Sequence, residues 1–148
     1  MPGPASSAAF AHGPRSRMTS PARRPGATIL VVDDDESVRV ALRAILETDG
    51  YAVDEVASGQ AALRACQQGG PALIVTDLVM PDCDGLELLR TLRREHPDVP
   101  VIVVTGTEVL PQGALADIAS RLGARQVFLK PMPVAAFRQA VRDLVTRP

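Results

Sequence analysis

The chain has 148 residues, 46% of them hydrophobic, which is enough to build one domain around a single core. Its two cysteines are too few for a disulfide framework, and their spacing does not suggest a zinc site. A formal charge of −1 argues against general nucleic-acid binding, and no apolar run has the length of a signal peptide or a membrane span. We therefore expect a cytoplasmic protein that binds neither nucleic acid nor membrane.

The first 27 residues differ in composition from the rest of the chain. They carry four arginines and no acidic residue, and they are rich in Pro, Ala, Ser and Gly without apolar periodicity. This composition predicts a disordered tail over residues 1–27 and a folded domain over residues 28–148. The tail is either a weak electrostatic arm or a passive extension, and a true start at Met18 is a further alternative.

From residue 28 onward, short apolar runs alternate with segments of helical spacing. The runs are TILVVD, YAVDEV, ALIVTD, VPVIVVT and QVFLK. The second of the intervening segments, residues 58–68, is Ala-rich and compatible with a helix. The other four helices are predicted from apolar stripes, which comprise Val38, Ala41, Leu42 and Ile45; Leu86, Leu89 and Leu92; Leu115, Ile118 and Leu122; and Val134, Phe137, Val141 and Leu144.

Residues suited to helix ends flank these stripes. Gly50 and Gly123 follow the first and fourth helices, where a glycine cap is expected. Asp84 and Glu87 have the spacing of a capping box at the start of the third helix, and Pro133 suits the first turn of the last. The ends of the helices therefore agree with the stripes.

A strand followed by a helix, five times over, is typical of a (βα)5 chain. It predicts an α/β, doubly wound fold, in which a five-stranded parallel sheet is covered by helices on both faces. The first, third and fourth runs are continuously apolar, as central strands buried on both sides should be. The run YAVDEV is less apolar and is predicted to be an edge strand.

Polar residues follow four of the predicted strands. In open parallel sheets, ligands bind beyond the carboxyl ends of the strands. If the first and third strands are neighbours, three carboxylates converge there, and hard oxygen ligands of this kind suit Mg2+. With a hydroxyl and an ammonium beside them, they predict a site for phosphoryl chemistry. The residues concerned are Asp33, Asp34 and Asp35, then Asp77, Thr105 and Lys130.

Each of these residues has an ordinary structural interpretation when it is taken alone. An acidic run before a helix often acts only as a cap, and a single Asp or Thr after a strand is often a turn residue. Lys130 is less easily explained in this way, because it is the only lysine among 16 basic residues. A compact ammonium on a flexible stem can reach a phosphoryl oxygen as a point charge, which a planar guanidinium does less well.

Four motifs together resemble the receiver domains of bacterial two-component response regulators. They are ILVVDDDESVR, IVTDLVMPDCDGLELL, VIVVTG and FLKP, and the resemblance extends from about Thr28 to Val145. It implies a flavodoxin-like sheet with the strand order 2-1-3-4-5. It also implies that the chain is a phosphoprotein that carries a 4-aspartylphosphate.

The resemblance assigns the metal ligands and the phosphoacceptor. It implies that Asp77 accepts the phosphoryl group and binds Mg2+ directly together with Asp34. The backbone carbonyl of Val79 would be a third ligand, and Asp33 would act through a metal-bound water. Asp35 has no such role, so we interpret it as a helix cap.

The resemblance also implies how the phosphoryl group is bound. Thr105 would donate a hydrogen bond to it, Lys130 would pair with it, and the Lys130–Pro131 peptide bond would be cis. Many receivers have an aromatic residue three positions before the lysine, and this chain has Val127. The segment between Thr105 and Lys130 is also somewhat longer than usual.

The function implied is that of a single-domain response regulator, a phosphoryl-accepting signalling domain and not an enzyme with a separate substrate. Its partner would be a sensor histidine kinase or a histidine phosphotransfer protein, and it would dephosphorylate itself with Mg2+. A conformational switch would then alter partner binding through the fourth helix, fifth strand and fifth helix. Two alternatives are a pseudo-receiver that is never phosphorylated and a small metal-dependent phosphohydrolase.

Overall fold

A computed structural model describes residues 28–80, 83–106 and 114–145. These ranges contain a five-stranded sheet and five helices, which alternate along the chain. In order they are β1 (Thr28–Val32), α1 (Glu36–Thr48), β2 (Ala52–Val56), α2 (Gly59–Gln67), β3 (Leu73–Thr76), α3 (Gly85–Glu95), β4 (Val101–Thr105), α4 (Ala114–Arg121), β5 (Gln126–Leu129) and α5 (Val134–Val145). The predicted tail over residues 1–27 lies outside the described residues.

The sheet is parallel throughout, and its strands lie in the order β2-β1-β3-β4-β5. The predicted fold class and the strand order 2-1-3-4-5 are therefore confirmed, and β2 is an edge strand as expected. A second, very small sheet pairs Val79–Met80 with Cys83–Asp84 in antiparallel fashion between β3 and α3. This pair shapes the chain directly after the carboxyl end of β3.

Each central strand contributes side chains to two cores, one on either face of the sheet. In β1, Ile29 and Val31 belong to the core that contains residues of α1 and α5. Leu30 and Val32 belong to the core formed with residues of α2, α3 and α4. Because successive residues of a strand point to opposite faces, both sets must be apolar. This explains why the runs that predicted the central strands are continuous.

The helix stripes are largely as predicted, with one correction in α1 and one in α5, where Val134 is 44% exposed because it lies in the first turn, beyond the buried part of the stripe. Leu42 and Leu46 are its buried residues, whereas Ala41 is exposed. The prediction that Ala41 lies on the buried face was wrong, because the stripe follows the row from Val38 through Leu42 to Leu46, four residues apart. Gly50 follows the helix with a φ of +94°, a conformation that favours glycine.

Two predicted helix features fall on side chains outside the described part of the chain, namely Asp84 of the capping box and Leu115 of the fourth stripe. The second helix is confirmed, with Ser58 as its N-cap. None of the described helices is long and apolar enough to cross a membrane.

Candidate metal and phosphoryl site

Two buried aspartates lie side by side where β1 and β3 end. Val32 and Thr76 are partners in the β1–β3 register, so Asp33 and Asp77 follow at the same edge of the sheet. The Asp77 amide donates to the carbonyl of Val32 at 3.1 Å, which continues the ladder past the strand end. Asp33 is 2% exposed and Asp77 is 7% exposed. The backbone of the central strands therefore brings two carboxylates together in a place shielded from water.

Asp34 adds a third, exposed carboxylate to this pair. One ligand oxygen from each of Asp33, Asp34 and Asp77 lies within 4.8 Å of the others. Three hard oxygen donors at this spacing, one of them open to solvent, fit a divalent cation such as Mg2+ that keeps part of its water shell. The predicted convergence of these residues is therefore present in the structure.

The Asp77 carboxylate is held by the loop that follows it. Its Oδ1 accepts hydrogen bonds from the amides of Leu78 at 2.6 Å and Val79 at 3.1 Å. Its Oδ2 accepts one from Lys130 Nζ at 3.2 Å. Val79 thus contacts the site through its amide, and the role of its carbonyl as a metal ligand stays a prediction.

Asp33 is held just as firmly, by a backbone amide and by the same lysine. The amide of Asp35 donates to Oδ1 at 2.9 Å, and Lys130 Nζ lies 3.3 Å from Oδ2. Burial raises the pKa of Asp33 above its ordinary value, although the Asp35 amide and the Lys130 ammonium oppose this shift. A further cation beside this carboxylate would oppose the effect of burial and lower its pKa.

Lys130 lies at this edge of the sheet, as its position after β5 predicts, and it bridges the two buried aspartates. Burial lowers the pKa of Lys130, but attraction to Asp77 and Asp33 outweighs this effect and leaves the pKa raised. The lysine amide donates to the carbonyl of Thr105 at 2.9 Å, and the Lys130–Pro131 peptide bond is cis. The ammonium thus stays charged and faces the carboxylates.

Thr105 is the last residue of β4 and pairs with Leu129, the residue before Lys130. Its side chain is fully buried. Within the described ranges, its hydroxyl oxygen has no hydrogen-bond partner. A buried hydroxyl without a partner is uncommon and costs free energy, so it often marks a place where a ligand binds. This is consistent with the predicted contact between Thr105 and a phosphoryl oxygen.

Asp35 stands apart from the acidic cluster and caps α1. Its Oδ1 accepts hydrogen bonds from the amide and the hydroxyl of Ser37, at 2.9 and 2.7 Å. The Ser37 hydroxyl and amide hold the pKa of Asp35 below its ordinary value. The interpretation of Asp35 as a helix cap is confirmed.

Gly85 is a residue of the site region to which the sequence assigned no role. It starts α3, and its amide donates to the carbonyl of Leu78 at 3.2 Å. A Cβ atom at this position would lie 2.3 to 2.6 Å from backbone atoms of Leu78. Only glycine lets α3 approach the loop after Asp77 so closely. The Asp-Gly pair in the sequence was the available signal.

Arg39 is a second residue to which the sequence assigned no role, although it ends the motif ILVVDDDESVR. It lies in α1, and its Nη1 donates to the main-chain carbonyl of Asp33 at 2.6 Å. An arginine on a helix looks like an ordinary surface residue, and a contact with a backbone atom leaves no pattern in the sequence. Its role can only be recognised from the structure.

Comparison with known proteins agrees with this geometry. The family model for the response regulator receiver domain matches residues 29–142. The chain belongs to the response regulator receiver family. The receiver fold is also found in solved structures: a putative response regulator from Chloroflexus aurantiacus has a TM-score of 0.75 and 26% identity, covering 82% of this chain and 98% of that one. The receiver domain of NtrX from Brucella abortus has a TM-score of 0.72 and 27% identity, covering 81% and 99%.

Curated relatives of this receiver domain are longer proteins. The response regulator MprA from Mycolicibacterium vanbaalenii is 35% identical over 80% of this chain and 50% of its own length. The transcriptional regulatory protein DctD from Pseudomonas aeruginosa, named for C4-dicarboxylate transport, is 38% identical over 77% of this chain and 24% of its own length. The chain therefore spans half or less of the length of these relatives.

Proposed function

We propose that this receiver domain accepts a phosphoryl group on Asp77 from a phosphohistidine of a sensor kinase or phosphotransfer protein. The observation that carries the proposal is the convergence of Asp33, Asp34, Asp77 and Lys130 at the carboxyl edge of the sheet. One ammonium bridging two buried carboxylates, beside a third that is exposed, suits the binding of a cation together with an anion. Membership in the receiver family supports the same reaction.

The residues of the site divide the work of phosphoryl transfer between them. Two amides hold Oδ1 of Asp77, so we expect Oδ2 to attack phosphorus in line. The bond between phosphorus and the imidazole nitrogen of the donor breaks, and the electron pair leaves with the imidazole. Lys130 then pairs with a phosphoryl oxygen, and the buried Thr105 hydroxyl donates to another. Water later hydrolyses the phosphoaspartate and resets the domain.

Mg2+ would neutralise charge on the carboxylate and phosphoryl oxygens. Its ligands would be Asp34, Asp77 and the Val79 carbonyl, and Asp33 would act through a metal-bound water. Phosphorylation would shift the domain between two conformations and alter partner binding through α4, β5 and α5. Val127 is half-buried in β5 and pairs with Val103, so no aromatic ring is available there to report phosphorylation. Thr105 and Lys130 are then the residues that would couple the site to this face.

Incubation with Mg2+ and acetyl phosphate tests the proposal against both alternatives. A receiver should take up one equivalent of phosphoryl group in an acid-stable, base-labile bond. Continuous turnover of acetyl phosphate without a stable phosphoprotein would indicate a phosphohydrolase. No uptake at all, in protein shown to be folded, would indicate a pseudo-receiver.

The three consecutive aspartates should contribute unequally to Mg2+ binding. Asp34→Asn should weaken binding most, by about tenfold or more, because we expect Asp34 to be a direct ligand. Asp33→Asn should have a smaller effect, and Asp35→Asn almost none, since asparagine is as good a cap as aspartate. Mg2+ titrations followed by amide chemical shifts would measure the three dissociation constants. Equal losses at all three positions would contradict this assignment.

Lys130→Arg should keep phosphorylation but blunt the response to it. The charge is retained, whereas the planar guanidinium cannot place a single donor between Oδ2 of Asp33 and Oδ2 of Asp77 as the ammonium does. The labelled variant should therefore show smaller phosphorylation-dependent chemical-shift changes in α4 and β5 than the wild type. Changes of the same size in both proteins would reduce Lys130 to an interchangeable positive charge.

A further inference from the structure

Arg39 joins the edge strand β2 to the residue that follows β1. Its Nη1 donates to the main-chain carbonyl of Asp33 at 2.6 Å, and its Nε contacts Glu55 Oε1 at 3.1 Å. The Arg39 side chain is 16% exposed and that of Glu55 is 23% exposed. Two separate nitrogens of one rigid guanidinium thus reach two partners on different segments, in a largely shielded place.

The carbonyl of Asp33 lies just beyond the end of β1, in a residue that is 2% exposed. A buried carbonyl without a partner is unfavourable, and a charged donor makes a strong hydrogen bond to it. This carbonyl also belongs to the peptide unit that joins Asp33 to Asp34. Because a peptide unit is planar, a contact that fixes the carbonyl also fixes the direction in which the backbone of Asp34 continues.

Asp34 depends on this backbone more than its neighbours in the cluster do. The carboxylates of Asp33 and Asp77 are held by loop amides and by Lys130. The carboxylate of Asp34 makes no hydrogen bond or ion pair with another residue of the described ranges, and it is exposed. With no partner to hold it, the Asp34 carboxylate depends on the course of its own backbone for its place beside the other two carboxylates.

We propose that Arg39 is a positioning residue, which orients the Asp33–Asp34 peptide and so aims the Asp34 carboxylate at the cation site, while Glu55 holds Arg39 in place. This rests on the proposed function, because it assumes that the cluster binds Mg2+. Arg39 touches neither the cation nor the phosphoryl group. It acts through the main chain, and it links the edge of the sheet to the metal ligands.

The sign of the effect separates positioning from electrostatics. Arg39 is a cation close to a site for another cation, so removing its charge would by itself tighten Mg2+ binding. Loss of orientation has the opposite effect, and partners that orient ligands without touching the metal typically change affinity by about 10–100-fold. Arg39→Gln should therefore weaken Mg2+ binding by about tenfold, although it removes a positive charge.

Arg43 offers a matched control one turn further along α1. It also pairs with Glu55, but its other partners are the carbonyl of Val53 and the side chain of Glu47. Arg43→Gln therefore removes the same charge and an ion pair with the other carboxylate oxygen of Glu55, without touching the carbonyl of Asp33. Its Mg2+ affinity should equal that of the wild type or slightly exceed it.

The test is a Mg2+ titration of the whole chain without phosphodonor, followed by backbone amide shifts. Arg39→Gln should bind about tenfold more weakly than Arg43→Gln, with shifted amide signals at Asp34 and Asp35 before any Mg2+ is added. Arg39→Lys, which keeps the charge and can donate to the carbonyl of Asp33, should recover part of the affinity. If Arg39→Gln does not fold, Arg39→Met replaces it, because it removes the same charge and keeps the apolar stem of the side chain. It should also bind Mg2+ more weakly than Arg43→Gln.

Mg2+ binding by Arg39→Gln, or by Arg39→Met in its place, that is as tight as that of Arg43→Gln or tighter would overturn the proposal. The positioning role alone would be overturned if the wild type bound Mg2+ and was labelled, but the Arg39 variant had the same Mg2+ affinity as Arg43→Gln. A wild type without Mg2+ binding or labelling would overturn the proposed function and this inference with it.

Discussion

Asp77→Asn should take up no phosphoryl group from acetyl phosphate, while the domain remains folded. An amide oxygen is a far weaker nucleophile than a carboxylate. Among the described carboxylates only Asp33 also contacts Lys130, and it lies on the other side of the ammonium as a proposed metal-site residue. The asparagine oxygen can still accept the hydrogen bonds from the amides of Leu78 and Val79. The substitution also removes one negative charge from a crowded cluster, so we expect little loss of stability.

Intact mass after incubation with Mg2+ and acetyl phosphate would measure the uptake. Asp35→Asn is the matched control, because it removes a neighbouring carboxylate that serves only as a cap of α1. This control should be labelled to the same extent as the wild type. A full equivalent of phosphoryl group on Asp77→Asn would show that another residue is the acceptor.

Gly85→Ala should destabilise the domain by about 3 kcal/mol, which is the upper range for forcing an extra group into a packed place. The added Cβ would meet the carbonyl oxygen, Cα and carbonyl carbon of Leu78 at 2.3 to 2.6 Å. These are backbone atoms that cannot rotate away, so either α3 or the loop after Asp77 must move. Because that loop supplies the amides that hold Asp77, labelling by acetyl phosphate should also slow.

Urea unfolding would measure the loss of stability, and Gly70→Ala provides the control. Gly70 has a φ of +61° with nothing within 4 Å of an added Cβ, so alanine there introduces backbone strain without a clash. We expect about 1–2 kcal/mol for that strain. If Gly85→Ala lowered the free energy of unfolding no more than Gly70→Ala does, the close approach of α3 to the loop would not explain why a glycine stands at position 85.

The sequence predicted the sheet because each central strand is buried on both faces. Continuous apolar runs and the helical stripes between them are direct consequences of two cores on either side of one sheet. The strand order itself came from the resemblance to receivers, since neither hydrophobic periodicity nor capping residues encode which strands are neighbours. Ala41 was misplaced because a small side chain at the border of a stripe carries little information about its direction.

For the site, the strand-end rule found the acidic residues, Thr105 and Lys130, because parallel strands deliver their last residues to one edge. It did not find Gly85 or Arg39. Both act on backbone atoms, Gly85 by approaching the carbonyl of Leu78 and Arg39 by donating to that of Asp33. Every residue has a carbonyl, so no residue type on the partner side marks such contacts in a sequence.

The bridge that Lys130 forms between Asp33 and Asp77 has a consequence for any measurement of metal affinity. The ammonium lies 3.3 and 3.2 Å from carboxylate oxygens of the same cluster that would receive Mg2+. A cation that binds there would compete with the Lys130 ammonium for these oxygens. Its measured affinity should therefore be weaker than three carboxylates without the lysine would give.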